Sequence, residues 1–199
     1  MVPAIVLAGG DSMRMGSPKA LLPDDEGRPF VVRIIRSLNA AGLDDIVIVT
    51  GRHHEAITAA VDQSDLPTSP LFARNPDPSR GQLSSLWIGM DAIEQRRPEA
   101  MLVTLVDVPM IAPSTIRVVL DTWRRTRAPV VRPIVGGRRG HPVIFDASLF
   151  DELRSAPLDR GARVVVHAQM SSAVDVPVDD ADCLIDVDTP ADYQRLRDR

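Results

Sequence analysis

A single cysteine, Cys183, occurs in the 199 residues of the sequence. One thiol can form neither an intramolecular disulfide nor a cysteine-based zinc site, and it fits the reducing conditions of the cytoplasm. Apolar runs are also short, well under the about 20 residues of a membrane span. The N-terminus lacks the basic region of a signal peptide. The sequence therefore predicts a cytoplasmic protein without a membrane segment.

An excess of positive charge is missing too. The chain has 23 basic and 27 acidic residues and a net charge of −4, so we do not expect it to bind nucleic acid. Its 44% apolar and 25% charged residues are typical of a globular protein. The length fits one domain, and we expect residues 1–199 to form a single domain.

Lysine is nearly absent, because Lys19 is the one lysine among the 23 basic residues. Lysine carries a compact, mobile ammonium, whereas arginine carries a planar guanidinium. Chance could explain the count by itself, so the meaning of Lys19 depends on its neighbours. It lies shortly after the Gly9-Gly10 pair that follows the first apolar segment.

Short apolar segments alternate along the chain with segments of helical periodicity. The segments at 2–8, 45–50 and 101–106 are mostly apolar and do not alternate with polar residues, which is typical of buried parallel strands. Their alternation with helices predicts an α/β fold whose mostly parallel sheet is covered on both faces. Further strands are predicted at 71–74, 129–135, 141–145 and 174–178, and helices at 29–41, 54–63, 83–95, 113–125, 159–169 and 190–197.

The loop after the first predicted strand combines glycines with cations. Gly9 and Gly10 allow backbone N–H groups to approach an anion closely, and Arg14 and Lys19 add positive charge. The spacing matches neither a P-loop nor the dinucleotide-binding G-x-G-x-x-G. We predict a phosphate-binding loop, with an ordinary turn as the alternative. Ligands of parallel sheets sit at this edge, beyond the carboxyl ends of the strands.

Aspartates in two other apolar segments are candidate metal ligands. Asp107 directly follows the predicted strand at 101–106. Asp186 and Asp188 alternate in the segment 184–188, which we predict to be a strand that places both on one face. Mg²⁺ prefers one or two carboxylates together with water and phosphate oxygens. The alternative is that these aspartates only cap turns or the following helix.

Two further polar segments contain candidate binding residues. Gln82 can both donate and accept hydrogen bonds, as reading a base edge requires. Ser84 and Ser85 next to it could instead be simple helix caps. The loop at 136–142 is rich in glycine and arginine, which suits an anionic acceptor. A solvated hairpin turn is equally consistent with that loop.

These motifs, in this order, resemble those of nucleotidyltransferases similar to molybdenum cofactor cytidylyltransferase and guanylyltransferase. The resemblance implies a Rossmann-like three-layer sandwich of the nucleotide-diphospho-sugar transferase type, with one antiparallel strand in a mostly parallel sheet. Nearly the whole chain takes part, through the segments LAGGDSMRMGSPK at 7–19, GQLSSL at 81–86, LVDVP at 105–109, GHP at 140–142 and DVDTPAD at 186–192.

The resemblance also implies a role for each motif. Arg14 and Lys19 would hold the phosphates that leave as pyrophosphate, with Asp107 as a third catalytic residue. Mg²⁺ would be held by Asp107 and by Asp188, with Asp186 as the alternative to Asp188. The implied nucleotide-binding residues are Leu7, Ala8, Gly9, Gly10, Arg14, Lys19, Gly81, Gln82, Ser84 and Ser85, and the implied acceptor-binding residues are Arg139, Gly140 and His141.

The implied reaction is Mg²⁺-dependent transfer of a nucleoside monophosphate from an NTP to the phosphate of a molybdopterin-type cofactor. The serines after Gly81 favour CTP, whereas the Gly9-Gly10 pair is typical of the guanylyl branch, so we expect CMP transfer with GMP as the alternative. A molybdoenzyme or its chaperone is a possible protein partner. Alternative acceptors are a sugar phosphate or another small phosphate, and a non-catalytic module that binds a nucleotide and delivers a cofactor is an alternative of another class.

Overall fold

The structure, a computed structural model, describes residues 1–10 and 15–198. This part of the chain forms one eight-stranded sheet with helices on both faces. The strands are β1 (Ala4–Ala8), β2 (Ile46–Thr50), β3 (Leu71–Arg74), β4 (Ala100–Leu105), β5 (Val130–Val135), β6 (Arg138–Arg139), β7 (Val143–Asp146) and β8 (Val174–Pro177). The helices are α1 (Phe30–Ala40), α2 (His54–Asp62), α3 (Gln82–Ile93), α4 (Pro113–Thr126), α5 (Phe150–Ser155), α6 (Arg163–Ala168) and α7 (Pro190–Arg197).

The strands follow the order β3-β2-β1-β4-β7-β5, and β8 pairs with β5. The first four strands of this order are parallel to one another, and β8 is parallel to β5. In contrast, β7 runs antiparallel to both of its neighbours, β4 and β5. The two-residue β6, which was not predicted, makes a short antiparallel pair with the end of β5. The predicted α/β class with a mostly parallel sheet is confirmed; β7 is the antiparallel strand inside the sheet, and the short β6 is a second one at its edge.

The central strands are almost entirely apolar because helices bury both of their faces. Every residue of β1 and β2 is buried, and neighbouring side chains of one strand belong to opposite cores. Val6 packs with α1, α2 and α4, whereas Ile5 packs with α3, α5 and α6. These are the three layers that the apolar strands predicted. Among the described residues, no helix has both the length and the apolar character needed to cross a membrane.

The predictions fail mainly in the last third of the chain. The helix predicted at 159–169 is shorter, and α6 begins only after Gly161, whose φ of +66° is not helical. Helix α5 was missed because it has six residues and buries only Leu153, too little for a periodic pattern. The prediction of a strand at 184–188 is wrong. A short 3₁₀ helix, Ala181–Leu184, ends there and leads into irregular chain.

The carboxyl ends of the central strands lie side by side and place their loops together. Leu7 of β1 is opposite Leu105 of β4, and Ala8 is opposite Thr50 at the end of β2. The loop after β2 touches the loop after β1, because a Cβ added to Gly51 would lie 2.5 Å from the Gly9 carbonyl oxygen. The predicted phosphate loop and Asp107 therefore share one edge of the sheet.

Helix α3 packs so closely on β1 and β2 that Gly89 has no room for a side chain. A Cβ there would lie 2.7 Å from Ile5 Cγ2 and 3.1 Å from Val49 Cγ2. We expect Gly89→Ala to lower the free energy of unfolding by about 1–2 kcal/mol in a denaturant titration, because overpacking outweighs the gain in helix propensity. The control is Gly10→Ala, because a Cβ added to Gly10 would have no described atom within 4 Å. The free energy of unfolding of this variant should stay within about 0.5 kcal/mol of wild type. Equal effects of the two substitutions would contradict this packing.

Candidate active site

Lys19 joins two aspartates that come from distant parts of the chain. Its Nζ lies 3.3 Å from Asp107 Oδ2 and 2.5 Å from Asp188 Oδ1. The Lys19 side chain is only 13% exposed, compared with 26% for Asp107 and 43% for Asp188. An ammonium removed this far from water needs opposite charge beside it. The structure thus brings together three residues that were predicted from separate motifs.

Short, well-packed turns hold Lys19 and Asp107 in place. Lys19 begins a single 3₁₀ turn, Lys19–Leu21, and the next residue, Ala20, is buried. Asp107 is the second residue after β4, in a turn in which the Val108 N–H donates to the Leu105 carbonyl at 3.2 Å. Val108 itself is fully buried, so the apolar residue next to Asp107 fixes the position of its backbone.

Asp188 reaches the site because the irregular segment before α7 is fastened to the loop after β4. The N–H of Val187 donates to the carbonyl oxygen of Asp107 at 2.8 Å, and the Val187 side chain is fully buried. Thr189 then caps α7 in a reciprocal capping box with Asp192. The Asp192 carboxylate also accepts from the Asp188 N–H at 3.2 Å. The hydrogen bond from the Thr189 side chain lowers the pKa of Asp192, so its carboxylate stays ionised in this role.

The carboxylates of this site fit a divalent cation. Asp107 Oδ1 is buried and has no hydrogen-bond partner among the described residues. Asp186 lies near the same group, since burial and then the charges of Asp107 and Asp188 raise its pKa. Within residues 1–10 and 15–198, no cluster of three or more His, Cys, Asp or Glu side chains could hold a metal by itself. Asp107 and Asp188 could therefore hold Mg²⁺ when phosphate oxygens and water complete its ligands.

The other side of this sheet edge is shaped by close approach of the backbone. A Cβ added to Gly9 would lie 3.0 Å from Ser85 Oγ. The loop after β1 therefore rests directly on the first turn of α3. Leu7 and Ala8 are buried at the end of β1, whereas Gly10 is exposed. Arg14, the other predicted phosphate ligand, lies outside the described residues.

A buried asparagine that sequence analysis did not single out organises the start of α3. Asn75 Nδ2 donates to Ser84 Oγ and to Ser85 Oγ, each at 3.0 Å. Its Oδ1 accepts from the Asp77 N–H at 3.0 Å, so the amide is fully engaged. The hydroxyls of both serines belong to this network, and Ser84 Oγ also donates to the Gly81 carbonyl. The available signal was an asparagine directly after the strand predicted at 71–74.

His141 stands beside Asp107 on the predicted acceptor side. Burial lowers its pKa, although the charge of Asp107 acts in the opposite direction, so the ring is neutral at neutral pH. Its Nδ1 is buried without a hydrogen-bond partner among the described residues. The backbone N–H of His141 donates to the Cys183 carbonyl at 2.9 Å. Gly140 has to be glycine, since a Cβ there would lie 2.4 Å from that same carbonyl oxygen.

A pocket of about 210 Å³ lies between the sheet, α3 and α6, next to His141. It also contains Leu7 and Gln82, so residues predicted from three separate motifs line one space. Most of the remaining wall is aliphatic or aromatic, and Arg163 is the charged side chain among its described lining residues. The pocket suits a ligand with a large apolar or ring surface and few polar groups.

The arginines of the predicted acceptor loop have different surroundings. Arg139 Nε donates to Asp175 Oδ2 at 2.8 Å, and the buried Arg132 donates its Nε to Asp175 Oδ1 at 2.7 Å. Arg139 is thus held by an ion pair that sequence analysis did not foresee. The charge of its neighbour Arg138 acts instead on Asp186, where it favours the ionised carboxylate and so opposes the rise in the pKa of Asp186. Successive residues of a strand point to opposite faces, which accounts for the difference.

Comparisons with known proteins give a consistent family. Residues 4–174 match the MobA-like NTP transferase domain. The molybdenum cofactor cytidylyltransferase of Escherichia coli is 26% identical over all of this chain and 96% of its own length. A probable molybdenum cofactor guanylyltransferase of Natronomonas pharaonis is 27% identical over 98% of this chain and 96% of its own. The nicotine blue oxidoreductase of Paenarthrobacter nicotinovorans is 32% identical over 98% of this chain and 96% of its own length.

A solved structure agrees over the whole chain. Rv0371c of Mycobacterium tuberculosis superimposes with a TM-score of 0.83 at 27% identity and covers 100% of this chain and 97% of its own. A second structure of that protein, in complex with manganese, has a TM-score of 0.77 at 25% identity and covers 100% of this chain and 98% of its own. Both agree with the sheet and its covering helices described above.

The ion pairs of Asp175 generate a prediction about stability. Burial would raise the pKa of Asp175, but the hydrogen bonds and charges of Arg132 and Arg139 outweigh it and lower the pKa. Asp175→Asn leaves the buried Arg132 without its counter-charge, so we expect about 2–3 kcal/mol lower free energy of unfolding at pH 7. The ionised carboxylate stabilises the fold above its ordinary pKa of 3.8, and this contribution disappears as the pH falls through the lower pKa of the folded state.

Denaturant titrations from pH 7 to pH 3 check both parts of this prediction. The difference in the free energy of unfolding between wild type and Asp175→Asn should become smaller toward acid pH. Asp121→Asn, which removes an exposed pair with Arg124, should change the free energy of unfolding by no more than about 0.5 kcal/mol. A gap that is constant or widens below pH 4 would contradict the assignment of the ion pairs.

Proposed function

The chain belongs to the family of MobA-like NTP transferase domains, and on this premise we propose the reaction it carries out. Residues 1–199 act as one nucleotidyltransferase domain that transfers a nucleoside monophosphate from an NTP to the phosphate of a molybdopterin-type cofactor. The observation that carries the proposal is the contact of Lys19 with Asp107 and Asp188. It supports the proposal because it brings a cation suited to phosphate and two carboxylates suited to a metal to one point of the sheet edge.

The chemistry needs alignment and charge neutralisation more than covalent help from the protein. An oxygen of the acceptor phosphate attacks the α-phosphorus and forms the new bond, while the bond from that phosphorus to the β-phosphate oxygen breaks. Pyrophosphate leaves, held by Lys19 and by the N–H groups of Gly9 and Gly10, and Arg14 is a further ligand by resemblance. Asp107 and Asp188 would hold Mg²⁺, and the ion would supply charge neutralisation at the phosphate oxygens when bound.

No general base is required, since a phosphate is already ionised near neutral pH. His141 is neutral there and has an unpartnered Nδ1. The His141 ring donates a hydrogen bond to the Val103 backbone from its other nitrogen, so Nδ1 of the neutral imidazole is an acceptor. We assign His141 as an acceptor-orienting residue, supported by its place in the pocket beside Asp107.

The base is expected to lie over the first turn of α3. Gln82 offers a donor and an acceptor to a base edge, and Ser84, Ser85 and Asn75 form the polar network beneath it. The serine-rich segment supports CTP, while Gly9 with Gly10 supports GTP. We propose CTP as the preferred nucleotide, with GTP as the alternative.

The pocket supports a heterocyclic acceptor over a sugar phosphate. A sugar presents hydroxyl groups on all sides and needs many hydrogen-bonding partners, whereas this wall is mainly Leu83, Leu86, Val143, Phe145 and Val166. A flat ring system would bury its faces there and reach His141 with its polar edge. The nucleotidylated product would pass to a molybdoenzyme or its chaperone. A module that only binds and delivers a cofactor would release no pyrophosphate.

The reaction is tested by incubating the protein with Mg²⁺, molybdenum-loaded molybdopterin and each of the four triphosphates, and measuring pyrophosphate release. We expect release with CTP, reduced at least about 100-fold by Asp107→Asn because the metal carboxylate is lost. Asp121→Asn on α4 is the matched control and should keep wild-type activity. Near-normal turnover of Asp107→Asn would refute the metal assignment, and turnover with GTP alone would refute the choice of CTP.

The acceptor pocket is tested by Val166→Gln, which places an amide in the apolar wall. We expect KM for the acceptor to rise about tenfold through lost apolar contact, with KM for the nucleotide unchanged. Val118→Gln is the control, because Val118 is 38% exposed on α4 and far from the pocket wall. A rise in KM for the nucleotide with no change for the acceptor would place the acceptor elsewhere.

A further inference from the structure

We infer that Lys19 competes with the divalent cation for the carboxylates of Asp107 and Asp188, so that the metal enters together with the triphosphate and binds only weakly without it. The inference rests on the proposed function for the identity of the anion that draws Lys19 away. The contacts of its Nζ with Asp107 Oδ2 and Asp188 Oδ1, at 3.3 Å and 2.5 Å, carry the argument.

Lys19 takes up part of what these carboxylates can offer a metal ion. Its ammonium occupies a lone pair of Asp107 Oδ2 and of Asp188 Oδ1 and the space beside them, so a metal ion at Asp107 is left mainly with Oδ1. Two cations at that distance also repel each other strongly in a half-buried site. A divalent ion therefore binds the two aspartates more tightly once the Nζ of Lys19 has moved away from them.

The lysine side chain is suited to such a move. Its charge sits at the end of a flexible four-carbon stem and is not part of a rigid fork, in contrast to arginine. At 13% exposure, Lys19 cannot simply turn into bulk water without leaving its packed turn. It needs another anion within reach of the sheet edge, and the phosphates of a nucleotide beside Gly9 and Gly10 would provide one.

The remaining charges at the site favour the exchange. The charges of Asp107 and Asp188 act on Asp186, and Lys19 and Arg138 are the opposing charges. A divalent ion neutralises this group better than one ammonium does, provided that Lys19 gains a new partner. Metal and triphosphate then strengthen each other's binding by the same factor, because the coupling between two ligands is reciprocal.

The first experiment measures Mn²⁺ binding to the free protein by electron paramagnetic resonance, with no acceptor and no turnover. Lys19→Met removes the competing charge, so we expect it to bind Mn²⁺ about tenfold more tightly than wild type without nucleotide. Adding a non-hydrolysable CTP analogue should strengthen Mn²⁺ binding to wild type but much less to Lys19→Met. Arg124→Met, an exposed cation on α4, controls for net charge and should stay within about twofold of wild type.

Equal or weaker Mn²⁺ binding by Lys19→Met would overturn the inference. A second measurement on the wild-type chain does not depend on how the variant folds. Because Lys19 is the one lysine of the sequence, ¹³C-lysine labelling gives a single side-chain Cε resonance. It should shift when Mg²⁺ and the analogue are added together, and an unchanged resonance at saturation would also overturn the inference. Lack of pyrophosphate release with every triphosphate would reject the proposed function and leave the Mn²⁺ result standing.

Discussion

The structure depends on satisfying one partly buried ammonium. Lys19 Nζ finds its partners 88 and 169 residues further along the chain, at Asp107 and Asp188. No local element can make such contacts, so the parallel sheet must bring the loops after β1 and β4 together. The hydrogen bond from Val187 to the Asp107 carbonyl must then bring in the C-terminal segment. The contacts of Lys19 therefore form only when the central strands have packed, so the fold and the site depend on each other.

Close backbone approach and polar networks complete that constraint at either end of the site. On the nucleotide side, Gly9 and Gly51 bring two loops into contact, and Asn75 holds the serines of α3 beside them. On the other side, Gly140 presses against the Cys183 carbonyl and positions His141. In each case a glycine brings two segments together and a hydrogen bond fixes their orientation. It comes from the Asn75 side chain on the nucleotide side and from the His141 backbone N–H on the other. The pocket beside His141 forms between these two anchored ends.

Sequence reasoning found what depends on local pattern. The apolar strands predicted the layers, and glycines, lysine and aspartates after strands predicted which loops carry the site. It failed where tertiary contacts decide the outcome. Asp188 reaches the site from irregular chain, although a strand was predicted there, because Val187 donates to a loop carbonyl and not to a sheet partner. The partner of Arg139, Asp175, lies 36 residues away, and no spacing in the sequence indicates that pair.

Family membership does not by itself decide the reaction. One full-length relative at 32% identity is a nicotine blue oxidoreductase, whereas others are cytidylyl- or guanylyltransferases. A fold supports many reactions, and the reaction has to be argued from the side chains at the site. In this chain those side chains are carboxylates, one ammonium and glycine-rich backbone. Such groups do not assist hydride transfer, because no charge develops on a phosphate in that reaction. They match a triphosphate, whose four or so negative charges need the cations and backbone donors gathered here.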